Sequence, residues 1–208
     1  MGNRTKNTIR NIFTGIFSNI FTLLLPFVVR TIIIYKLGSE YIGLGSLFTS
    51  ILQVLSVTEL GFASAIACTM YEPIAKKDTL KIIESITLLK TIYKIVGAFI
   101  LIVGLAITPF LHLLIKDGVS VDVNIYFLYF IHLANTTVSY FFYGYKNTII
   151  SANQRYDIIN CINATMALFR GIIQIIILLI SSNYYLYIIT LPIFTIISNL
   201  FINYCTNK

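Results

Sequence analysis

Residues 158–180 read IINCINATMALFRGIIQIIILLI, and this segment sets the fold class of the chain. A helix of about 20 residues crosses the ~30 Å hydrocarbon core of a bilayer, so the segment is long enough to span it. At 100° per residue, Asn160, Asn163, Arg170 and Gln174 fall within about 80° of one another. A narrow polar face on an otherwise lipid-compatible helix predicts a membrane-spanning helix whose polar face looks at protein or water.

The composition of the whole chain agrees with this segment. The 208 residues are 57% hydrophobic and only 11% charged, whereas an average soluble domain is about a quarter charged. A chain this short cannot hide so much apolar surface in a soluble core. We therefore predict an all-α, polytopic membrane helix bundle.

About six transmembrane helices are expected, forming one lobe over residues 1–208. Their predicted bounds are 11–35, 41–70, 95–114, 124–145, 158–180 and 184–204. Residues 79–89 are predicted to form a separate amphipathic helix at the membrane interface.

The distribution of positive charge predicts the orientation of the bundle. Of the 15 Lys and Arg residues, eleven fall in segments that are cytoplasmic if the N-terminus is, and only Lys36 and Lys116 fall in outside loops. This asymmetry follows the positive-inside rule and predicts that both termini are cytoplasmic. Because the cations lie between apolar runs and not on a folded basic face, the net charge of +7 does not indicate nucleic-acid binding.

Three charged residues fall inside predicted spans: Arg30, Glu59 and Arg170. Charges in hydrocarbon usually face a bundle interior, a partner or a water-filled path. Glu59 and Arg170 lie near the middle of their spans and form the better candidate ion pair, whereas Arg30 lies roughly 10 Å toward the outer side.

Other spans carry polar or small residues at helical spacing, which suit helix packing as well as a substrate path. Those singled out are Thr14, Ser18, Thr22 and Pro26 in the first span, Ser46, Thr49, Gln53 and Ser56 in the second, His132, Asn135, Ser139 and Tyr143 in the fourth, and Pro192, Thr195 and Asn199 in the sixth. In the third span, Gly97, Gly104 and Thr108 share one face, which predicts close packing against another helix.

The motifs of membrane enzymes are missing from the sequence. It contains no Asp-x-Asp, no His-Glu-x-x-His and no Gly-rich phosphate loop. Cys68, Cys161 and Cys205 lack the spacing of metal ligands. We therefore expect no catalytic residue, no metal and no cofactor, and a protein that is not an enzyme.

A family resemblance rests on residues 26–66, PFVVRTIIIYKLGSEYIGLGSLFTSILQVLSVTELGFASAI. This stretch resembles the first two spans of the polysaccharide repeat-unit flippase family, within the multidrug/oligosaccharidyl-lipid/polysaccharide exporter superfamily. YEPIAKKD at 71–78 and NTIISANQRYD at 147–157, at predicted inner span ends, agree with it. The resemblance covers nearly the whole chain.

The resemblance implies one lobe of a two-lobed transporter that flips undecaprenyl-diphosphate-linked oligosaccharides across the bacterial plasma membrane by alternating access. Its partners would be membrane lipid, the lipid-linked oligosaccharide, and a second lobe or a second copy of the chain. Because the sequence has the length of one lobe, a truncated form or a fragment of a longer protein is also expected.

The cations connect this expectation to chemistry, since a diphosphate in hydrocarbon needs positive partners and guanidinium suits phosphate oxygens. Arg30 and Arg170 are the candidate headgroup contacts, and Asn163 and Gln174 the candidate donors to sugars. Glu59 would either hold an arginine in place or exchange a proton or cation that drives the cycle.

Two other functions stay open at this point. A drug or cation exporter of the same superfamily would require an acid-rich cavity. A non-transporting membrane scaffold or inactive fragment would use its polar faces only to pack helices.

Overall fold

A computed structural model describes residues 3–56, 62–115 and 123–207 of the chain. These residues are helical and contain no strand, which confirms the predicted all-α class. The helices are α1 (Asn3–Lys36), α2 (Ser39–Ser56), α3 (Phe62–Lys76), α4 (Thr79–Ile107), α5 (Leu111–Leu114), α6 (Ile125–Phe141), α7 (Lys146–Ala152), α8 (Tyr156–Ile180) and α9 (Tyr184–Thr206), with a 3-10 turn at Thr108–Phe110 between α4 and α5.

Within the described ranges, four segments are long and apolar enough to cross a membrane: Arg10–Lys36, Thr79–Leu113, Tyr156–Ile180 and Tyr184–Thr206. They correspond to the first, third, fifth and sixth predicted spans. The helices at the second and fourth predicted spans are shorter. With 18 residues in α2 and 17 in α6, each rises only about 25–27 Å.

Three predictions of helix bounds differ from the structure. The fourth span, predicted to end at residue 145, is described as α6, which ends at Phe141. The second span is described as α2 and α3, and residues 57–61, which include Glu59, lie outside the described residues. The separate interfacial helix over residues 79–89 is wrong, because α4 runs unbroken from Thr79 to Ile107. The Asp78 carboxylate caps this helix by accepting from the Lys81 N–H, and Leu89 is fully buried, so the segment continues a packed helix.

Helices α1 and α8 pack side by side in parallel. Near their N-terminal ends, the Asn11 amide donates to the Gln154 carbonyl just before α8 at 3.1 Å. Farther along, a Cβ on Gly171 would lie 3.1 Å from Leu25 Cδ2, so the absence of a side chain there brings the two helices together.

Helices α6 and α9 also run in parallel, and α4 runs antiparallel to α6. The Thr195 hydroxyl donates to Asn135 Oδ1 at 2.8 Å, halfway along α6 and α9. A Cβ on Gly97 would lie 2.8 Å from Tyr140 Cβ, and one on Gly104 would clash with Leu133. The glycine face of α4 therefore makes the close helix contact that its spacing predicts.

These contacts define the ends of the bundle. α1, α4 and α8 run in one direction, whereas α6 and α9 run in the other. Lys146, at the start of α7, donates to Asn203 Oδ1 near the end of α9 at 2.6 Å. The first turns of α1 and the last turns of α9 thus lie at the same end of the molecule.

Large apolar side chains cover the outside of the bundle. Phe13, Leu23 and Phe27 on α1 are each at least 70% exposed, and Ile180 at the end of α8 is 82% exposed. Phe48 and Tyr129, by contrast, are completely buried between α2 and α6. An apolar outer surface of this extent suits contact with lipid chains.

Candidate functional site

Three adjoining cavities between α1, α2, α6, α7, α8 and α9 form what we call the polar cleft. The arginine chamber, about 180 Å³, is lined by Arg30, Ala167, Arg170, Gln174, Tyr187 and Leu191 among others. The tyrosine chamber, about 270 Å³, includes Arg30, Ser46, Thr49, His132, Tyr184 and Tyr187. The amide chamber, about 360 Å³, includes Ser139, Asn147, Asn163, Arg170, Thr195 and Asn199. The arginine chamber shares Arg30, Tyr187 and Leu191 with the tyrosine chamber, and Ala167 and Arg170 with the amide chamber, so it adjoins both.

The arginine chamber brings together the two arginines that the sequence singles out. Arg30 reaches it from α1 and Arg170 from α8, and Tyr187 of α9 lies beside both. Because Gly171 of α8 packs against Leu25 of α1, Arg30 starts roughly 9 Å farther along the parallel helices than Arg170, and the two side chains reach the chamber from different levels. Two like charges in one cavity within a membrane require water or an anion between them.

Gln174 belongs to this chamber but already has a protein partner. Its side chain is 5% exposed, and its Nε2 donates to Thr190 Oγ1 at 2.8 Å. The hydrogen bond joins α8 to α9, so at least one amide proton of Gln174 serves packing. Asn163, the other predicted sugar contact, is exposed in the amide chamber on the same face of α8 as Arg170.

The amide chamber contains polar atoms with unused hydrogen-bonding capacity. Asn147 Oδ1 and Asn199 Nδ2 are buried and have no hydrogen-bond partner in the described part of the chain. Leaving such an atom unpaired costs about 1–3 kcal/mol, which a ligand hydroxyl or a water would recover. Sequence reasoning singled out Asn199 through its spacing from Thr195, whereas Asn147, just beyond the predicted fourth span, was not identified.

His132 lies where the tyrosine chamber meets a further cavity of about 250 Å³ that Gln53, Ser56 and Asn135 help to line. Its ring packs edge-on against Phe48, with centroids 5.7 Å apart. The side chain is 7% exposed, and its Nε2 makes no hydrogen bond within the described residues. The sequence predicted that His132 lies on the polar face of the fourth span but indicated no function for it.

The charged residues that line the polar cleft in the described part of the chain are all positive. Among the described residues that line its three chambers, the charged ones are Arg30 and Arg170, and there is no carboxylate. Glu59 lies outside the described residues, so its pairing with Arg170 and its role in coupling stay predictions.

A separate ionic cluster, which we call the α1–α8 clamp, lies at the end of the bundle that contains the start of α8 and the last turns of α9. Asp157 pairs with Arg10 of α1 and with Arg155, each at 3.0 Å. The Asp157 backbone N–H also donates to Asn11 Oδ1 at 2.8 Å. These contacts fix the start of α8 against α1, away from the chambers.

Lys146 ties α7 to the end of α9 at the same end of the bundle. Its ammonium donates to Asn203 Oδ1 and Asn207 Oδ1, each at 2.6 Å. Burial, together with the positive charge of Lys90, lowers the pKa of the Lys146 ammonium. Lys146 is thus a structural cation, unlike the two arginines of the cleft.

Within the described ranges, no group of three or more His, Cys, Asp or Glu side chains is placed to hold a metal ion. Comparisons with models of known protein families, with curated proteins and with solved structures find no match. The resemblance to the flippase family therefore rests on the sequence stretches quoted above.

Proposed function

We propose that this chain is one helical lobe of a transporter that flips undecaprenyl-diphosphate-linked oligosaccharide units across the bacterial plasma membrane. The observation that carries the proposal is the arginine chamber, where Arg30 and Arg170 line one cavity. Both termini are assigned to the cytoplasm by the positive-inside asymmetry.

The diphosphate is the part of such a substrate that is hardest to move through hydrocarbon. Guanidinium groups form bidentate, charge-assisted hydrogen bonds to phosphate oxygens and offset the loss of hydration. In the proposed function, Arg30 and Arg170 receive the diphosphate. The sugars then extend into the adjoining amide chamber, where Asn163, Asn199 and Ser139 offer neutral polar groups.

A drug or cation exporter fits the cleft less well. A cationic substrate needs carboxylates along its path, and the described lining residues of the three chambers include none. Two arginines would instead repel such a substrate.

A non-transporting scaffold has two contacts in its favour, because Gln174 bonds to Thr190 and Thr195 bonds to Asn135 across helix interfaces. The unpartnered atoms of Asn147, Asn199 and His132 argue against it, since polar groups that only pack helices normally bond to one another.

Alternating access needs a second wall opposite this cleft. Arg30, Ser46, Thr49 and Gln53 are exposed in the isolated chain although they lie within predicted spans. A polar surface at that depth is costly against lipid. A second lobe, or a second copy of the chain, would cover it.

Expression in a bacterial strain that lacks its polysaccharide repeat-unit flippase tests the proposal. Surface polysaccharide is measured, and immunoblotting of membranes reports the protein level. We expect the chain to restore polymer, Arg170→Ala to abolish it at an equal protein level, and Lys76→Ala to retain it, because the Lys76 side chain is 71% exposed and does not line the cleft.

One result would count against the proposal, and another would show that the chain needs a second lobe. Equal polymer from Arg170→Ala would show that the arginine chamber does not carry the diphosphate. No polymer from the unaltered chain at full membrane level would show that one lobe is not sufficient.

A further inference from the structure

We propose that His132 is a proton-binding site that is linked to anion binding in the polar cleft: the imidazole takes up a proton when a lipid-linked diphosphate enters and releases it when the diphosphate leaves. The inference rests on the proposed function for the identity of the anion. It adds a residue and a form of regulation that the cation pair alone does not supply.

The position of His132 suits a proton-binding site. His132 Nε2 is buried without a hydrogen-bond partner in the described structure, at a boundary between two cavities. A Cβ on Gly45 would lie 4.0 Å from this nitrogen and 3.0 Å from the Tyr184 hydroxyl. The lack of a side chain at Gly45 therefore leaves the space beside Nε2 open to a ligand, a water or a proton.

The described groups near the imidazole come from α1, α2, α6 and α9. From α1, Arg30 lines the same chamber, and from α9 so do Tyr184 and Tyr187. The described residues of α2 that line it are Ile42, Gly45, Ser46, Thr49 and Ser50, none of them charged. On α6 itself, Tyr129 turns away and donates to the Gly104 carbonyl of α4 at 2.8 Å.

Electrostatics disfavours a proton on His132 while the cavity holds no anion. Because the described lining of the chamber holds a guanidinium and no carboxylate, a proton on His132 adds a second positive charge with no anion to offset it. Two positive charges in one cavity destabilise each other. A diphosphate at Arg30 supplies the missing negative charge, so the imidazolium form becomes favourable when the cavity is filled.

Thermodynamic linkage between proton binding and diphosphate binding sets the direction in which pH changes the affinity. If the diphosphate favours protonation of His132, then a proton on His132 must favour diphosphate binding by the same factor. Affinity should therefore rise as the pH falls, by about tenfold if the coupling is of the usual size. The proton comes from bulk water, and no bond other than N–H forms or breaks.

The chain offers an internal control, because the sequence contains two histidines. His112 is exposed, and its Nδ1 lies 3.0 Å from the Pro109 carbonyl, outside the polar cleft. The variant His112→Gln leaves His132 as the single imidazole, so a ring-labelled histidine reports on that position alone.

The experiment uses His112→Gln with 15N-labelled histidine rings, in nanodiscs of phosphatidylcholine. Nitrogen chemical shifts give the protonation state of His132 at pH 6.5, with and without undecaprenyl diphosphate. Binding of undecaprenyl diphosphate is measured separately by isothermal titration calorimetry. We expect a neutral imidazole in the empty chain and an imidazolium in the complex. An imidazole that is neutral in both, or charged in both, overturns the inference while the measured binding leaves the proposed function standing.

A matched series then tests the consequence for affinity. His132→Gln keeps a polar side chain that cannot titrate. When the pH falls from 7.5 to 5.5, the affinity of the unaltered chain for undecaprenyl diphosphate should rise by a factor about ten times larger than that of this variant. His112→Gln should behave like the unaltered chain. Equal pH profiles for all three overturn the inference, and a failure of every chain to bind undecaprenyl diphosphate overturns both it and the proposed function.

Discussion

At the scale of single residues, the polar atoms that lack protein partners distinguish a binding site from a packing interface. Asn199 Nδ2 is buried and unpartnered in the described structure, whereas the neighbouring Thr195 is bonded to Asn135. Both residues belong to the polar face predicted for the last span. Their spacing groups them on one side of α9 but cannot reveal which of them has a partner on α6.

Replacing Asn199 by Leu should separate stability from recognition. Removing a buried, unsatisfied amide is nearly neutral or stabilising for folding, so we expect an unchanged or higher melting temperature in nanodiscs. Affinity for the lipid-linked oligosaccharide should fall, while affinity for undecaprenyl diphosphate, which has no sugar, should stay the same. A loss of affinity for both ligands would place the diphosphate, and not the sugar, beside Asn199.

The sequence of α8 predicts the face on which Gln174 lies but not its hydrogen-bond partner. The angular position of Gln174 on α8 correctly groups it with Arg170, and both line the arginine chamber. Its hydrogen bond to Thr190, however, depends on how α9 folds back against α8. Helical periodicity specifies which face a residue occupies, but it does not specify the residue opposite.

At the scale of helices, glycine positions explain how the bundle closes around the cleft. Gly104 of α4 faces Leu133 of α6, and the carbonyl of Gly104 accepts from the Tyr129 hydroxyl. A side chain at this position has no space to occupy. The predicted glycine face of the third span was therefore correct, because small residues at helical spacing report directly on close packing.

We expect Gly104→Val to destabilise the protein by about 1–3 kcal/mol, the usual cost of overpacking. Gly43→Ala is the matched control, since a Cβ there meets nothing within 4 Å and alanine is the better helix former. Thermal unfolding in nanodiscs should show a lower melting temperature for the first variant and no loss for the second. Equal melting temperatures would contradict the close contact of α4 with α6.

Breaking the α1–α8 clamp should affect only the helix ends that it joins. Asp157→Asn removes the negative charge that pairs with Arg10 and Arg155, so the first turns of α1 should open more often. Hydrogen exchange should become faster in α1 near Arg10 and at the start of α8 while exchange in α6 and α9 is unchanged. The control is Glu72→Gln, which breaks a fully exposed ion pair with Lys76 and should alter neither region.

The prediction for residues 79–89 failed at this same scale. Polar and charged residues there suggested a separate helix at the interface, but the segment is the first part of α4. Asp78 starts the helix, and no proline or glycine interrupts it before Gly97. The lack of a helix-breaking residue indicated one continuous helix. The change from polar to apolar residues along the segment obscured this signal.

At the scale of the whole molecule, apolar surface and polar cleft have different origins. The outward-facing Phe and Leu side chains follow from composition, and helix lengths follow from the apolar runs, so the all-α class and several spans were predictable. The cleft depends on how six helices, α1, α2, α6, α7, α8 and α9, are placed relative to one another. No single segment contains that information.

The claim at the centre of this account is that the arginine chamber binds a lipid-linked diphosphate. Its most direct test is the affinity of the chain for undecaprenyl diphosphate in phosphatidylcholine nanodiscs, with undecaprenol as the uncharged comparison and Lys76→Ala as the control variant. We predict binding of the diphosphate but not of undecaprenol, and a loss of about tenfold or more in Arg30→Ala and in Arg170→Ala, as expected for a charged hydrogen bond. Equal affinity for the two lipids, or an unchanged affinity in both arginine variants, would contradict the claim.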